Sequence, residues 1–205
     1  MRLRRCLISQ YCLTKKVHHG RIFTDIPPPG CMPTPADTTP SSPRLEIISL
    51  PSRQEGLGSD KKEASIQPYT CFGFKIQNEI AYISDVSFIP EDVWPMLESI
   101  PVLALDCLRL EPHTSHYGIA EAVRTARRLK AGRTYLTGFG HYVSHDEYVA
   151  IGEVVGGAQR EAETENERAG AELIGAGMPV WMRPAHDGLR IFVGPSGVTD
   201  DTYDK

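Results

Sequence analysis

Apolar residues gather into short runs after about residue 69, and two spacings alternate among those runs. "TCFGFKI" and "EIAYISD" have the length and the aromatic or β-branched content of strands, and Gln77-Asn78 between them suits a hairpin. "VLALDCL" is continuously apolar, the pattern of a strand covered on both faces. "GIAEAVRTARRLKAG" changes period: Ile119, Ala122, Val123, Ala126 and Leu129 share one helical face, and Gly132 is the expected C-cap. "RTYLTGF" returns to strand character. A strand, a helix and a strand in this order predict a parallel pair joined by a right-handed crossover. "PEDVWPMLESI" predicts a helix with acids in its first turn, interrupted near Pro95. Residues 156–177 read as a charged, Gly-flanked helical insert. "VWMRPAHDGLRIFV" reads as two strands around a tight turn at Asp187-Gly188.

The rest of the chain lacks these periods. "DIPPPGCMPTPADTTPSSPR" and "SRQEGLGSDKKEAS" bury too little apolar surface to offset their ordering entropy. The expected organisation is therefore a basic leader over 1–24 and a Pro/Ser-rich insertion without regular structure over 25–67. A folded α/β unit, a mixed sheet flanked by helices, follows over 68–195, with a frayed tail over 196–205.

Composition narrows the function classes. The 205 residues carry a net charge of −4, which lacks the basic face of a nucleic-acid binder. No apolar run approaches the roughly 20 residues that span a bilayer. The five cysteines form no C-x-x-C pair, so a zinc ribbon or a thioredoxin-type site is not expected, and a reducing compartment such as the cytoplasm fits. The first 21 residues hold six Lys or Arg and no acid, which makes a mitochondrial leader the alternative.

Candidate chemistry lies at strand ends. Asp85 follows "AYIS", His116 follows the buried strand, and His141 follows "TYLTGFG". Ligand sites in open α/β sheets collect beyond the carboxyl ends of strands. Histidine and aspartate converging there are the donors a divalent ion prefers in a hydrolytic site.

Taken in order, "YTCFGFKI", "AYISDVSFIP", "VLALDCLRLEPHTSHYGIAEAV", "LKAGRTYLTGFGHYVSHDE" and "RPAHDGLRI" resemble the C-terminal half of a metallo-β-lactamase-fold hydrolase. The similarity is greatest to the branch containing the bacterial cyclic-phosphate phosphodiesterase of phosphonate breakdown. It implies half of an αββα sandwich and a two-metal site for zinc or manganese. Its substrate would be a small phosphodiester or a nucleotide-like molecule. By the same resemblance Asp85 is the carboxylate that bridges two metals. His116 contacts the phosphate or protonates the leaving group, and His19 in "KKVHHGR" is a metal ligand. His113 orients its loop, and Asp106 is expected to fix the orientation of a ligand from behind. His186 stands where the family has an aromatic and is not assigned to the metal.

Two departures accompany the matches. The His-x-His-x-Asp-His signature of the superfamily is absent. The last metal-binding histidine falls on Gly138, with His141 three residues on as the substitute. A two-metal site uses about seven protein ligands, and His19, Asp85 and His141 are those retained. Three functional expectations follow. One is a phosphodiesterase-lineage hydrolase with weak or no turnover. Another is a non-catalytic remnant that binds a partner or a nucleotide-like ligand through an uncovered apolar sheet face; a homodimer is the candidate assembly by which the half-fold would complete a working site. The third is an incomplete gene model, which an in-frame copy of the signature in the upstream coding DNA would reveal.

Overall fold

The computed structural model describes residues 45–51 and 70–204. Six strands form one mixed sheet in the order β1 (Leu45–Pro51), β2 (Thr70–Ile76), β3 (Ile80–Ile83), β4 (Val102–Asp106), β5 (Arg133–Thr137) and β6 (Met182–Pro184). β1, β2 and β3 pair antiparallel, and β3 through β6 run parallel. Strands β7 (Ile191–Gly194) and β8 (Gly197–Asp200) form a separate antiparallel hairpin. Among the described residues no helix is long and apolar enough to cross a membrane.

The expected mixed sheet flanked by helices is present, and its centre follows directly from sequence. Every residue of β4 is buried, as its unbroken apolar run requires. Gln77 and Asn78 adopt φ of 53° and 55°, the left-handed pair of the three-residue turn, 77–79, that joins Ile76 of β2 to its partner Ile80 of β3. Helix α2 (Ile119–Leu129) buries Ile119, Ala122, Val123, Ala126 and Leu129 against the face that carries Leu103, Leu105 and Leu136. Helices α3 (His145–Val155) and α4 (Glu165–Ile174) pack on the same face through Tyr148, Ile151 and Ile174. The opposite face is smaller. There Ile80, Val102 and Tyr135 are covered by Ile191 of the hairpin and by Trp181 and Tyr203.

Several expectations are corrected. The stretch 45–51, placed in the insertion without regular structure, is a strand: "LEIISLP" is rich in β-branched and apolar residues and pairs with all of β2. The rest of that insertion, and the leader, lie outside the described residues. Lys130, not Gly132, takes the left-handed C-cap of α2, at φ 52°, with its N–H donating to the Ala126 carbonyl. Gly132 is instead a close approach, where a Cβ would lie 2.8 Å from the Pro101 carbonyl oxygen. The helix expected over "PEDVWPMLESI" is one turn, α1 (Trp94–Leu97), with Pro95 inside its first turn. The helical insert narrows to α4. The strands either side of Asp187-Gly188 are β6 and β7, and they belong to different sheets.

The tail expected to fray is also held, as far as Asp204. Arg133 donates to Asp200 at 2.8 Å and to Asp204 at 2.7 Å, the Tyr135 hydroxyl donates to Asp200 at 2.8 Å, and the Arg133 guanidinium lies 4.5 Å above the Trp181 ring. A polar tail is ordered when buried groups of the sheet need its carboxylates as partners.

Candidate active site

The carboxyl ends of β3 and β4 bring three of the sequence-selected residues together. Asp106 is the last residue of β4 and is 1% exposed. The loop that follows returns His116 to it, because Leu108 N–H donates to the Tyr117 carbonyl and Ile119 N–H to the Leu110 carbonyl. His116 Nδ1 then lies 3.1 Å from Asp106 Oδ2 and 3.3 Å from Oδ1, and Tyr117 N–H donates to the same Oδ2 at 3.0 Å. Burial pushes the Asp106 carboxyl above its ordinary range, against the pull of the Tyr117 N–H and His116.

Asp85, two residues past β3, sits at φ 53°, a left-handed conformation that costs a non-glycine residue energy and turns up disproportionately at functional sites. Its side chain is 62% exposed, with Oδ1 3.8 Å from His116 Nδ1 and Oδ2 accepting from Ser84 Oγ at 3.3 Å. One imidazole nitrogen thus faces two carboxylates, one buried and one exposed.

His113 holds the loop, as expected. Its Nδ1 accepts from Ser115 N–H at 3.3 Å, and its ring centroid stands 5.5 Å from that of His116. Gly138 has a local reason to be glycine. Its φ is 82°, and a Cβ would lie 2.9 Å from Asp106 Oδ1. A histidine there would be strained in its backbone and crowded by the buried carboxylate.

His141 is exposed in the turn before α3, and among the described residues no hydrogen bond or ion pair joins it to Asp85 or His116. His19 lies outside the described residues. Among the described residues no group of three or more His, Cys, Asp or Glu is arranged to hold a metal ion. Asp106 has both oxygens engaged, which leaves Asp85 as the open carboxylate. The described donors therefore do not by themselves fit zinc or manganese.

Sequence reasoning passed over a second histidine pair. His145, the first residue of α3, and His186, after β6, have ring centroids 5.9 Å apart. Tyr203 OH donates to the Pro184 carbonyl at 2.6 Å, so the 3.2 Å contact with His145 Nε2 makes that nitrogen the donor. His186 Nε2 meets Thr202 Oγ1 at 2.9 Å. These histidines fasten the tail to the sheet edge. Helix α3 itself was signalled by Ser144-x-x-Glu147, whose capping box forms: Ser144 N–H donates to Glu147 Oε2 at 2.8 Å, and Glu147 N–H to Ser144 Oγ at 3.3 Å.

Comparisons with known proteins bear on this arrangement. A family model described as a beta-lactamase superfamily domain matches residues 30–139. Among solved structures, the chain is similar to one described as a new diphosphatase from the PhnP family, at 25% identity over 71% of this chain and 42% of that one, with a TM-score of 0.46. It is also similar to the metallo-beta-lactamase fold protein YhfI from Bacillus subtilis, at 21% identity over 76% of this chain and 48% of that one, with a TM-score of 0.43. The chain thus spans less than half the length of either solved protein. No curated protein matches it. The family match covers more than half of the residues and includes Asp85, Asp106 and His116: the chain belongs to the beta-lactamase superfamily.

Proposed function

We propose that this chain carries the leaving-group side of a phosphodiester hydrolase, of the branch that "ISDVS", "PHTSH" and "PAHDGL" resemble. The observation that supports the reading best is the pairing of His116 with the buried Asp106, beside the exposed Asp85. With Nδ1 turned to the carboxylates, Nε2 is the nitrogen left for a substrate oxygen. Asp106 accepts from Nδ1–H, keeps the imidazole in one tautomer and stabilises the imidazolium. A proton held at His116 Nε2 is then delivered to the departing alkoxide oxygen. Asp85 is the described residue open to a divalent ion, with zinc and manganese as the candidates. Further donors would have to come from outside the described clusters, His19 and His141 being those the sequence offers.

The test is cleavage of a chromogenic phosphodiester by the full chain at rising zinc or manganese, with bound metal measured by mass spectrometry. Weak metal binding and slow cleavage, abolished in His116→Ala, are expected. Cleavage that survives His116→Ala shows that His116 is not the proton donor to the leaving group. Absence of cleavage at saturating metal removes the hydrolase reading.

A further inference from the structure

The loops that follow β4 and β5 enclose a cavity of about 450 Å³ on the same edge of the sheet as Asp85 and His116. Arg109, Leu110 and Glu111 form one wall, and Tyr142, Val143 and Asn166 the other. Three features set it apart from an ordinary surface dent. Arg109 Nε is closed to solvent and has no hydrogen-bond partner among the described residues. A buried N–H without an acceptor is costly, and turning the guanidinium toward an acceptor in the cavity would relieve that cost. Tyr142 holds its ring 84% exposed, although its backbone is fixed, because Asn166 Nδ2 donates to the Tyr142 carbonyl at 3.1 Å. The two walls are also tied to the reaction loop. Gly140 N–H donates to the Leu108 carbonyl at 2.6 Å, and Arg109 Nη2 donates at 3.0 Å to the carbonyl of Pro112, four residues before His116.

We propose that this cavity is a subsite for a ring-bearing oxyanion, which places its charge on Arg109 and its ring against Tyr142. The inference rests on the phosphodiester reading and deepens it: the alcohol that leaves from His116 would itself carry a flat ring and an anionic group. A guanidinium suits that task because its N–H groups match the spacing of oxyanion oxygens, and a charge-assisted bond is about twice as strong as a neutral one. An exposed tyrosine face adds sequence-independent stacking for a nucleobase-like ring. Glu111, in the same wall, is exposed, so solvent screens its repulsion.

Binding, not turnover, tests it. The full chain is titrated by calorimetry with phenyl phosphate, benzoate, inorganic phosphate and phenol. Phenyl phosphate or benzoate should bind, and phenol should bind about ten-fold more weakly or worse. Tighter phenyl phosphate identifies a phosphoryl anion, and tighter benzoate a carboxylate. Arg109→Gln should weaken the preferred anion about ten-fold. Tyr142→Ala should weaken phenyl phosphate and leave inorganic phosphate unchanged, while His116→Ala should leave both affinities unchanged. Equal affinity in Arg109→Gln and the parent overturns the inference, as does a loss confined to His116→Ala. If Arg109→Gln fails to fold, Tyr142→Ala at its exposed position decides, and an unchanged phenyl phosphate affinity there is fatal. Failure of the hydrolase reading looks different: cleavage is absent while these affinities stand.

Discussion

Asp106 and Asp200 are both buried at a sheet edge, and the protein treats them in opposite ways. Asp200 receives Arg133, the Tyr135 hydroxyl, and the backbone N–H groups of Thr202 and Tyr203. Its charge is matched by a cation that cannot deprotonate, and its acceptor sites are filled. Asp106 receives one backbone N–H and one histidine, and burial raises its carboxyl pKa. A permanently charged partner makes a lock, whereas in the proposed function the imidazole beside Asp106 hands its proton on. The same buried carboxylate chemistry thus serves attachment at the tail and, in the proposed function, the orientation of His116 beside β4.

The largest effect should come from removing the lock. Asp200→Ala leaves Arg133, only 14% exposed, with Asp204 as its remaining carboxylate, and strips an acceptor from Tyr135 and two backbone N–H groups. Breaking a buried pair from one side costs about 3–5 kcal/mol. Urea denaturation should show a loss near the lower end, since Asp204 remains. A loss below that of an ordinary surface substitution would show that the two aspartates do not differ as argued.

Asp106→Asn should do the reverse. The amide still accepts from Tyr117 N–H and relieves the carboxylate's desolvation, so urea stability should change by less than about 1 kcal/mol. It cannot accept from His116 Nδ1–H with the same oxygen charge, so the imidazole loses its orienting anion. Phosphodiester cleavage should fall by about 10² or more, the usual worth of a general acid. A variant that unfolds while its residual folded fraction cleaves normally would place Asp106 with Asp200 as a structural group.

How legible all this was depended on how local its causes are. The β4–α2–β5 unit was readable because "VLALDCL" and "GIAEAVRTARRL" each state their burial within one window. The nearness of Asp85 and His116 was readable because both follow strands whose carboxyl ends share one sheet edge. β1 was not, because its evidence is its partner β2, set among Pro- and Ser-rich sequence. α3 was missed because its apolar residues, buried beneath α4 and beside β6, surround too much of the helix to leave a clear polar face. The tail looked frayed because Arg133, its anchor, is 67 residues upstream of Asp200. The family's last ligand position falls on Gly138, and its substitute three residues on, His141, sits exposed in its turn. The cavity had no sequence signal, since Arg109 and Tyr142 become neighbours only through two loops.

Smaller effects sharpen the contrast at the capping box. Ser144→Ala removes the acceptor for Glu147 N–H and should cost about 1 kcal/mol in urea denaturation, the usual worth of an N-cap. Because α3 carries Tyr148 and Ile151 into the core, the loss should appear in the cooperative global transition. A separate early transition would show that α3 unfolds independently of the sheet.

Glu147 supplies the last and smallest test, because in it hydrogen bonding prevails over desolvation, the opposite of Asp106. Ser144 N–H is the largest influence, joined by Thr164, Asn166 and the Ser144 hydroxyl, and together they hold the Glu147 carboxyl down at about 2 from an ordinary 4.5. A carboxyl depressed in the folded state binds fewer protons there than in the unfolded chain. Its stabilisation is therefore complete above pH 4.5 and is lost as pH falls from there toward 2. Asp106 has the opposite sign. Its raised pKa makes the folded state bind more protons, so its contribution improves as pH falls through the folded pKa. Stability measured against pH for the parent, Glu147→Gln and Asp106→Asn should separate the two. The Glu147 variant should lose part of the decline below pH 4.5, and the Asp106 variant should steepen it. If both variants bend the curve the same way, hydrogen bonds and burial do not divide these carboxylates in the manner that distinguishes a cap from a proton-handling site.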